Sequence, residues 1–127
     1  MNQEIAPPDI AAPAANYAHA VLTMAPATML HTSGVVPVRP DGEVPAGLRE
    51  QVEAVWSNIS AMLGAAGMNT GDIVSVTTYV VEGEDLQEVM AARDRALGGH
   101  RAASTLLVVP RLARPEWRLE IAVIAAR

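Results

Sequence analysis

The sequence predicts one α+β domain with the order β-β-α-β-α-β-β, a single sheet carrying two helices on one of its faces. Three observations carry this prediction. Two segments place apolar residues at helical spacing, and the runs between them are rich in β-branched residues. The chain has 127 residues, which suits one domain, 1–127, and leaves little room for two.

Residues 1–16 are rich in Pro and Ala and read as an extended arm. The stretch YAHAVLTM (17–24) alternates weakly and fits a short strand. APAT (25–28) is a turn, and TMLHTSGVVPV (28–38) is a second strand. Two such runs joined by a short Pro-containing turn predict a hairpin. RPDGEVPAG (39–47) is a loop with a turn signal at Asp41-Gly42.

From Gly47 to Ala66, apolar side chains recur at Leu48, Val52, Val55, Ile59, Met62, Leu63 and Ala66, with charges on the other side. This is an amphipathic helix that Gly67 closes. DIVSVTTYVV (72–81) is a strand. Val74, Val76, Thr78 and Val80 form one face; Ile73, Ser75, Thr77, Tyr79 and Val81 form the other. Residues 83–99 form a second helix with a stripe of Leu86, Val89, Met90 and Leu97, ended by two glycines. STLLVV (104–109) is a strand, 110–116 a turn, and WRLEIAVIAA (117–126) the last strand.

Each strand–helix–strand unit predicts a right-handed crossover between parallel strands, so both helices fall on one side of the sheet. The other face stays uncovered although its side chains are largely apolar or small. Half of the residues are hydrophobic, and mean hydropathy is +0.20, rich for so small a domain. A closed ring of copies is the simplest way to bury that face.

Composition also excludes. There is no cysteine, hence no disulfide, thiolate nucleophile or thiolate metal site. All nine cations are Arg, so a Schiff-base lysine and a P-loop lysine are excluded. The net charge is −5 with scattered arginines, which argues against nucleic acid as a partner. The N-terminal stretch has no basic region followed by an apolar block, and no run reaches membrane-spanning length; a cytoplasmic protein without membrane association is expected. His19, His31 and His100 lack ligand spacing, so no metal site is expected. Ser57, Ser60 and Ser75 have no nucleophile-elbow context.

APPDIAAPAANYAHAV, LHTSGVVPVRPDGEVP, VWSNISAMLGAAGMNTGDIVSVTTYVV, AASTLLVV and LEIAVIA occur in order and span nearly the whole chain. Together they resemble the RidA/YjgF reactive-intermediate deaminase family. The resemblance implies a chorismate-mutase-like fold, a homotrimer with ligand clefts between subunits, and no cofactor or metal. It implies hydrolysis of an imine or enamine to a keto product and ammonia. In typical members an Arg grips the substrate carboxylate, a Glu positions water, and a Tyr and a Ser-Gly line the pocket.

Carried over by position, the Tyr is Tyr17, the Ser-Gly is Ser33-Gly34, and the Glu is Glu120. Ser104 matches the Ser after the Arg, and Thr105 follows it. The Arg position itself falls on Ala103, so the carboxylate fork is missing. Met90, Val35 and Ala122 depart from Asn, Gln and Glu that many members carry. Arg101, just upstream, is the candidate to replace the fork, since a guanidinium matches a carboxylate bidentately.

Each residue also has a plainer reading. Glu120 stands between Arg118 and Ala122 and could pair with Arg118 or with an Arg of another subunit. Tyr17 could cap the core, Ser33-Gly34 could end a strand, and Arg101 and His100 could be solvated. Trp56 and Trp117 read as packing or subunit contacts. The leading expectation is a homotrimeric imine or enamine hydrolase taking a small-molecule ligand in an intersubunit cleft. A non-catalytic binding or regulatory trimer is the alternative, and an endoribonuclease ranks last.

Overall fold

A computed structural model describes residues 1–127. Its strands are β1 (Asn2–Ile5), β2 (Ala20–Thr23), β3 (Met29–His31), β4 (Ile73–Val81), β5 (Ala103–Val109) and β6 (Leu119–Ala126). Its helices are α1 (Leu48–Ala65) and α2 (Leu86–Leu97), with a short 3-10 turn at Thr70–Asp72. The α+β class is as expected. β3, β6, β4 and β5 form a four-stranded sheet in that order. β6 runs antiparallel to β3 and β4, and β4 runs parallel to β5. β3 and β4 therefore point the same way, with β6 inserted between them.

Helix boundaries follow from local chemistry. Asp85 accepts from the Gln87 and Glu88 amides and starts α2; Gly98, at φ 57°, ends it in the left-handed region. Gly67, at φ 71°, does the same after α1. Val52, Val55, Ile59 and Leu63 of α1 pack with Val89 and Leu97 of α2 against Val76, Val80, Leu119, Ile121 and Val123. Trp56 is buried in this core rather than offered to a partner, and Met62 is exposed.

Three expectations need correction. The predicted hairpin of 17–24 with 28–38 does not form: β2 pairs with β1, and β3 with β6. The reason is the turn between them. The Ala27 and Thr28 amides both donate to Arg127 O, which turns the chain onto β6. Secondly, the strands do not make a single sheet. Ala18 bridges Ala103 at the edge of β5, and the chain then leaves to form a separate two-stranded sheet with the start of the segment expected to be an extended arm. Asn2 Nδ2 donates to Ala126 O at 2.9 Å and ties that small sheet to the end of β6. Thirdly, Ile73 belongs to the core face, because the register against β6 shifts between Ile73 and Ser75 and reverses the alternation.

Gln51 is buried among the apolar residues of α1, at 1% exposure, and its amide is fully engaged. Nε2 donates to Pro45 O and Glu116 O, both at 2.8 Å, and Oε1 accepts from the Arg118 amide at 2.9 Å. One side chain thus joins the 39–47 loop, the β5–β6 turn and the start of β6. Gln51→Leu strands these three backbone groups. We expect it to lower the unfolding free energy by about 2–3 kcal/mol, read by chemical denaturation at fixed chain concentration.

Candidate functional site

The face of the four-stranded sheet away from the helices carries cross-strand rows set by the register. Leu107, Tyr79 and Glu120 form one row. Thr105, Thr77 and Ala122 form the next, followed by Ala103, Ser75, Ile124 and His31. Most of these side chains are half-buried, and Leu107 is exposed at 41%. No charged group other than Glu120 falls in the Tyr79 and Thr77 rows.

Glu120 is placed by an irregularity at its neighbour strand. His31 pairs with Ile124, and Val35 bridges Ile121, so four steps on one strand face three on the other. The extra residue is a bulge across Thr32, Ser33 and Gly34. Thr32 holds it on both sides: its amide donates to Val123 O, and its Oγ1 accepts from the Val123 amide, each at 3.0 Å. Val35 and Ile121 then exchange backbone hydrogen bonds at 2.7 and 3.1 Å. Glu120 lies over Gly34 so closely that a Cβ at position 34 would coincide with the carboxylate oxygen Oε2. Beside the bulge lies a hollow of about 380 Å3 lined in part by His31, Ser33, Gly34, Val36, Asn58 and Met62.

The pairing of Glu120 with Arg118 within the chain, the plainer reading of the sequence, does not occur. Arg118 is bound instead to Glu84 Oε1 at 2.7 Å and to Ala46 O at 3.1 Å. Glu120 has no ion-pair partner in the chain.

The other candidates gather at the opposite edge. Tyr17 precedes the Ala18–Ala103 bridge, and its hydroxyl accepts from the Ala14 amide at 3.3 Å. Its ring meets the His19 ring edge-on at 5.8 Å. Arg101 donates through Nη2 to Tyr17 O at 2.6 Å and pairs with Glu4 at 3.3 Å. It links β5, the Tyr17 segment and β1. Ring nitrogen Nε2 of His100 meets Ile73 O at 2.7 Å. Ser104 turns its hydroxyl to the helix side and accepts from Arg93 Nη1 at 3.2 Å, whereas Thr105 faces the open side and is exposed.

Glu120 and Ala103 are separated by two strand spacings and four residues, about 16 Å by ordinary sheet dimensions. Ser33, Gly34 and Glu120 therefore form one group; Tyr17, Arg101, Ala103 and Thr105 form another. Within one chain they do not meet.

Sequence reasoning did not single out Thr32, Tyr79 or Arg93. Tyr79 was legible as the aromatic on the less apolar face of β4. The role of Thr32 depends on a bulge that no local pattern marks. Arg93 is only 5% exposed despite its charge, with Nε and Nη2 donating to Asp94 Oδ1. No three His, Asp or Glu side chains are grouped so as to hold a metal ion, and no helix is long and apolar enough to cross a membrane.

Residues 8–127 match the family model described as Endoribonuclease L-PSP. The chain is 37% identical over 103 residues to the 2-iminobutanoate/2-iminopropanoate deaminase of Escherichia coli K12, covering 78% of this chain and 80% of that protein. The crystal structure of YyfB from Yersinia pestis, described as a Rid family protein of unknown function, superposes with a TM-score of 0.88 at 28% identity. That match covers 99% of this chain and 98% of the other. The E. coli YjgF gene product has a TM-score of 0.73 at 32% identity, covering 98% of both chains.

The contact between Gly34 and Glu120 makes a sharp test. The clashing atom is the tip of a flexible side chain, so Gly34→Ala is expected to change stability by no more than about 1 kcal/mol. Its crystal structure should show the Glu120 carboxylate swung away from residue 34. An unmoved carboxylate refutes the close approach.

Proposed function

Because the chain belongs to the RidA/YjgF family, we propose that it hydrolyses a reactive imine, or the enamine that tautomerises to it, in a cleft between two copies of the chain. Water adds to the imine carbon, forming a C–O bond. The nitrogen takes up protons, the C–N bond breaks, and a carbonyl compound and ammonia leave. No electrons are transferred, so the balanced reaction calls for no redox cofactor.

The observation that supports this most directly is the carboxylate of Glu120. It is half-buried, free of any ion pair in the chain, and positioned over a glycine. A carboxylate so held can accept a hydrogen bond from water and take its proton as the C–O bond forms. Thr105 and the backbone of Ser104 offer polar groups to the ligand, as does the Ser33-Gly34 backbone. Tyr17 closes the cleft from the other copy.

The two groups of residues are too far apart to act on one small molecule within a chain. They also sit at opposite edges of a half-buried, largely apolar sheet face. Three copies in a ring would bring the edge of one against the edge of the next and cover that face. Arg101 serves in this reading as the strut between Tyr17 and β5, with its second candidate role at the ligand competing against Glu4.

An RNA substrate is disfavoured by a net charge of −5 and by arginines mostly engaged with acidic neighbours.

Two measurements test the proposal. Light scattering should give a particle three chain masses in size; a monodisperse single chain defeats the shared cleft. With phenylmethanimine generated in place from benzylamine by a flavin amine oxidase, ammonia release should exceed the buffer rate. Glu120→Ala should lower that excess by roughly 100-fold or more, the usual scale for a general base. If Glu120→Ala keeps full turnover, the carboxylate has no part in the chemistry. If the unaltered protein never accelerates release but retains a ligand, it is a binding protein of the same fold.

A further inference from the structure

Resting on the hydrolytic reading of the Glu120 site, we infer that the cleft selects imines that carry no carboxylate, either neutral or protonated to iminium ions. The ground is the charge inventory of the sheet face. Glu120 is the one acidic side chain on its central rows, beside the neutral side chains of Tyr79, Thr77 and Ala122.

The cations that lie near are committed elsewhere. Arg118, two residues before Glu120, is bound to Glu84 and Ala46 O. Arg101 is bound to Glu4 and Tyr17 O. Arg93 lies behind β5 on the helix side, bound to Asp94 and Ser104. Arg39, Arg49 and Arg95 pair with Glu43, Glu53 and Glu88. Arg127 donates to Gly67 O beyond the end of α1, and Arg114 stacks over Trp117 in the β5–β6 turn, which also holds Arg111. His31 lies in the Ile124 row, four residues along the sheet from Glu120.

A carboxylate brought into this cleft meets a like charge and loses its hydration without a matching donor. A protonated imine meets an opposite charge. A neutral imine meets hydroxyls that can donate to its nitrogen. The charge at the site therefore separates ligands of equal size and shape by their charge alone.

A matched pair tests this. Phenylmethanimine, made in place from benzylamine by a flavin amine oxidase, differs from 2-imino-2-phenylacetate, made from phenylglycine by an amino-acid oxidase, only by a carboxylate. Calorimetric titration with benzylammonium and with benzoate supplies a second readout that needs no turnover. We expect kcat/KM for phenylmethanimine to exceed that for 2-imino-2-phenylacetate by at least about tenfold, and benzylammonium to bind more tightly than benzoate. Ala103→Arg places a cation on the open face and should reverse the order of the two imines. Glu120→Gln should remove the preference for benzylammonium.

If 2-imino-2-phenylacetate is hydrolysed as well as its partner or better, the charge selection is overturned and the hydrolytic reading stands. Should neither imine be hydrolysed while benzylammonium still binds in preference to benzoate, the hydrolytic reading fails and the charge selection stands. Benzoate binding as tightly as benzylammonium, or neither binding, overturns the selection.

Discussion

One close approach organises the site: the carboxylate of Glu120 occupies the volume that any side chain at position 34 would take. Everything nearby accommodates it. The bulge at Thr32–Gly34 lengthens that strand by one residue, and the Thr32 hydroxyl supplies the acceptor that the regular ladder would have given Val123. The ladder resumes at once with the paired hydrogen bonds of Val35 and Ile121. A carboxylate on a half-buried sheet face is costly unless water or a partner reaches it. The bulge sets it over a glycine instead of beneath a neighbouring side chain.

A second constraint acts from the other end of β6. Gln51 fixes the Arg118 backbone, and Glu84 and Ala46 hold the Arg118 guanidinium. A free arginine two residues from Glu120 would be its natural partner. Its engagement elsewhere leaves the carboxylate unneutralised. The two devices are linked along one strand: the register that puts Glu120 over Gly34 also delivers Arg118 to Gln51. The polar group that α1 buries against the start of β6 thus bears on the charge left on the open face as well as on stability.

The sequence carried some of this openly. The stripe Val52, Val55, Ile59, Leu63 and the alternation of β4 are local signals, and both elements formed where expected. The pairing of β2 was not local. It turns on two amides, Ala27 and Thr28, whose acceptor is Arg127 at the far end of the chain. The face of Ile73 was misread because a shift of register leaves no mark in an apolar run. Glu120, Tyr17, Ser33 and Gly34 could be named through family resemblance, but their grouping could not. Gln51 and Arg93 read as ordinary polar helix residues, and their burial depends on backbone carbonyls and a hydroxyl supplied by distant segments.

The division of the candidate residues between two edges changes what association means for this chain. A lone sheet face that is half-buried and apolar gives a reason to associate, but any partner could satisfy it. The separation of about 16 Å between the Glu120 group and the Ala103 group adds a directional demand: one edge must meet the other edge of the next copy. A two-fold contact tends to set like edges together, giving two Glu120 groups or two Tyr17 groups at each seam. A cyclic arrangement sets unlike edges together at every seam. In the proposed ring, each cleft therefore holds one carboxylate from one chain and one set of Tyr17 and Thr105 from its neighbour. The arrangement also keeps the Glu120 carboxylates in separate seams, away from one another's charge.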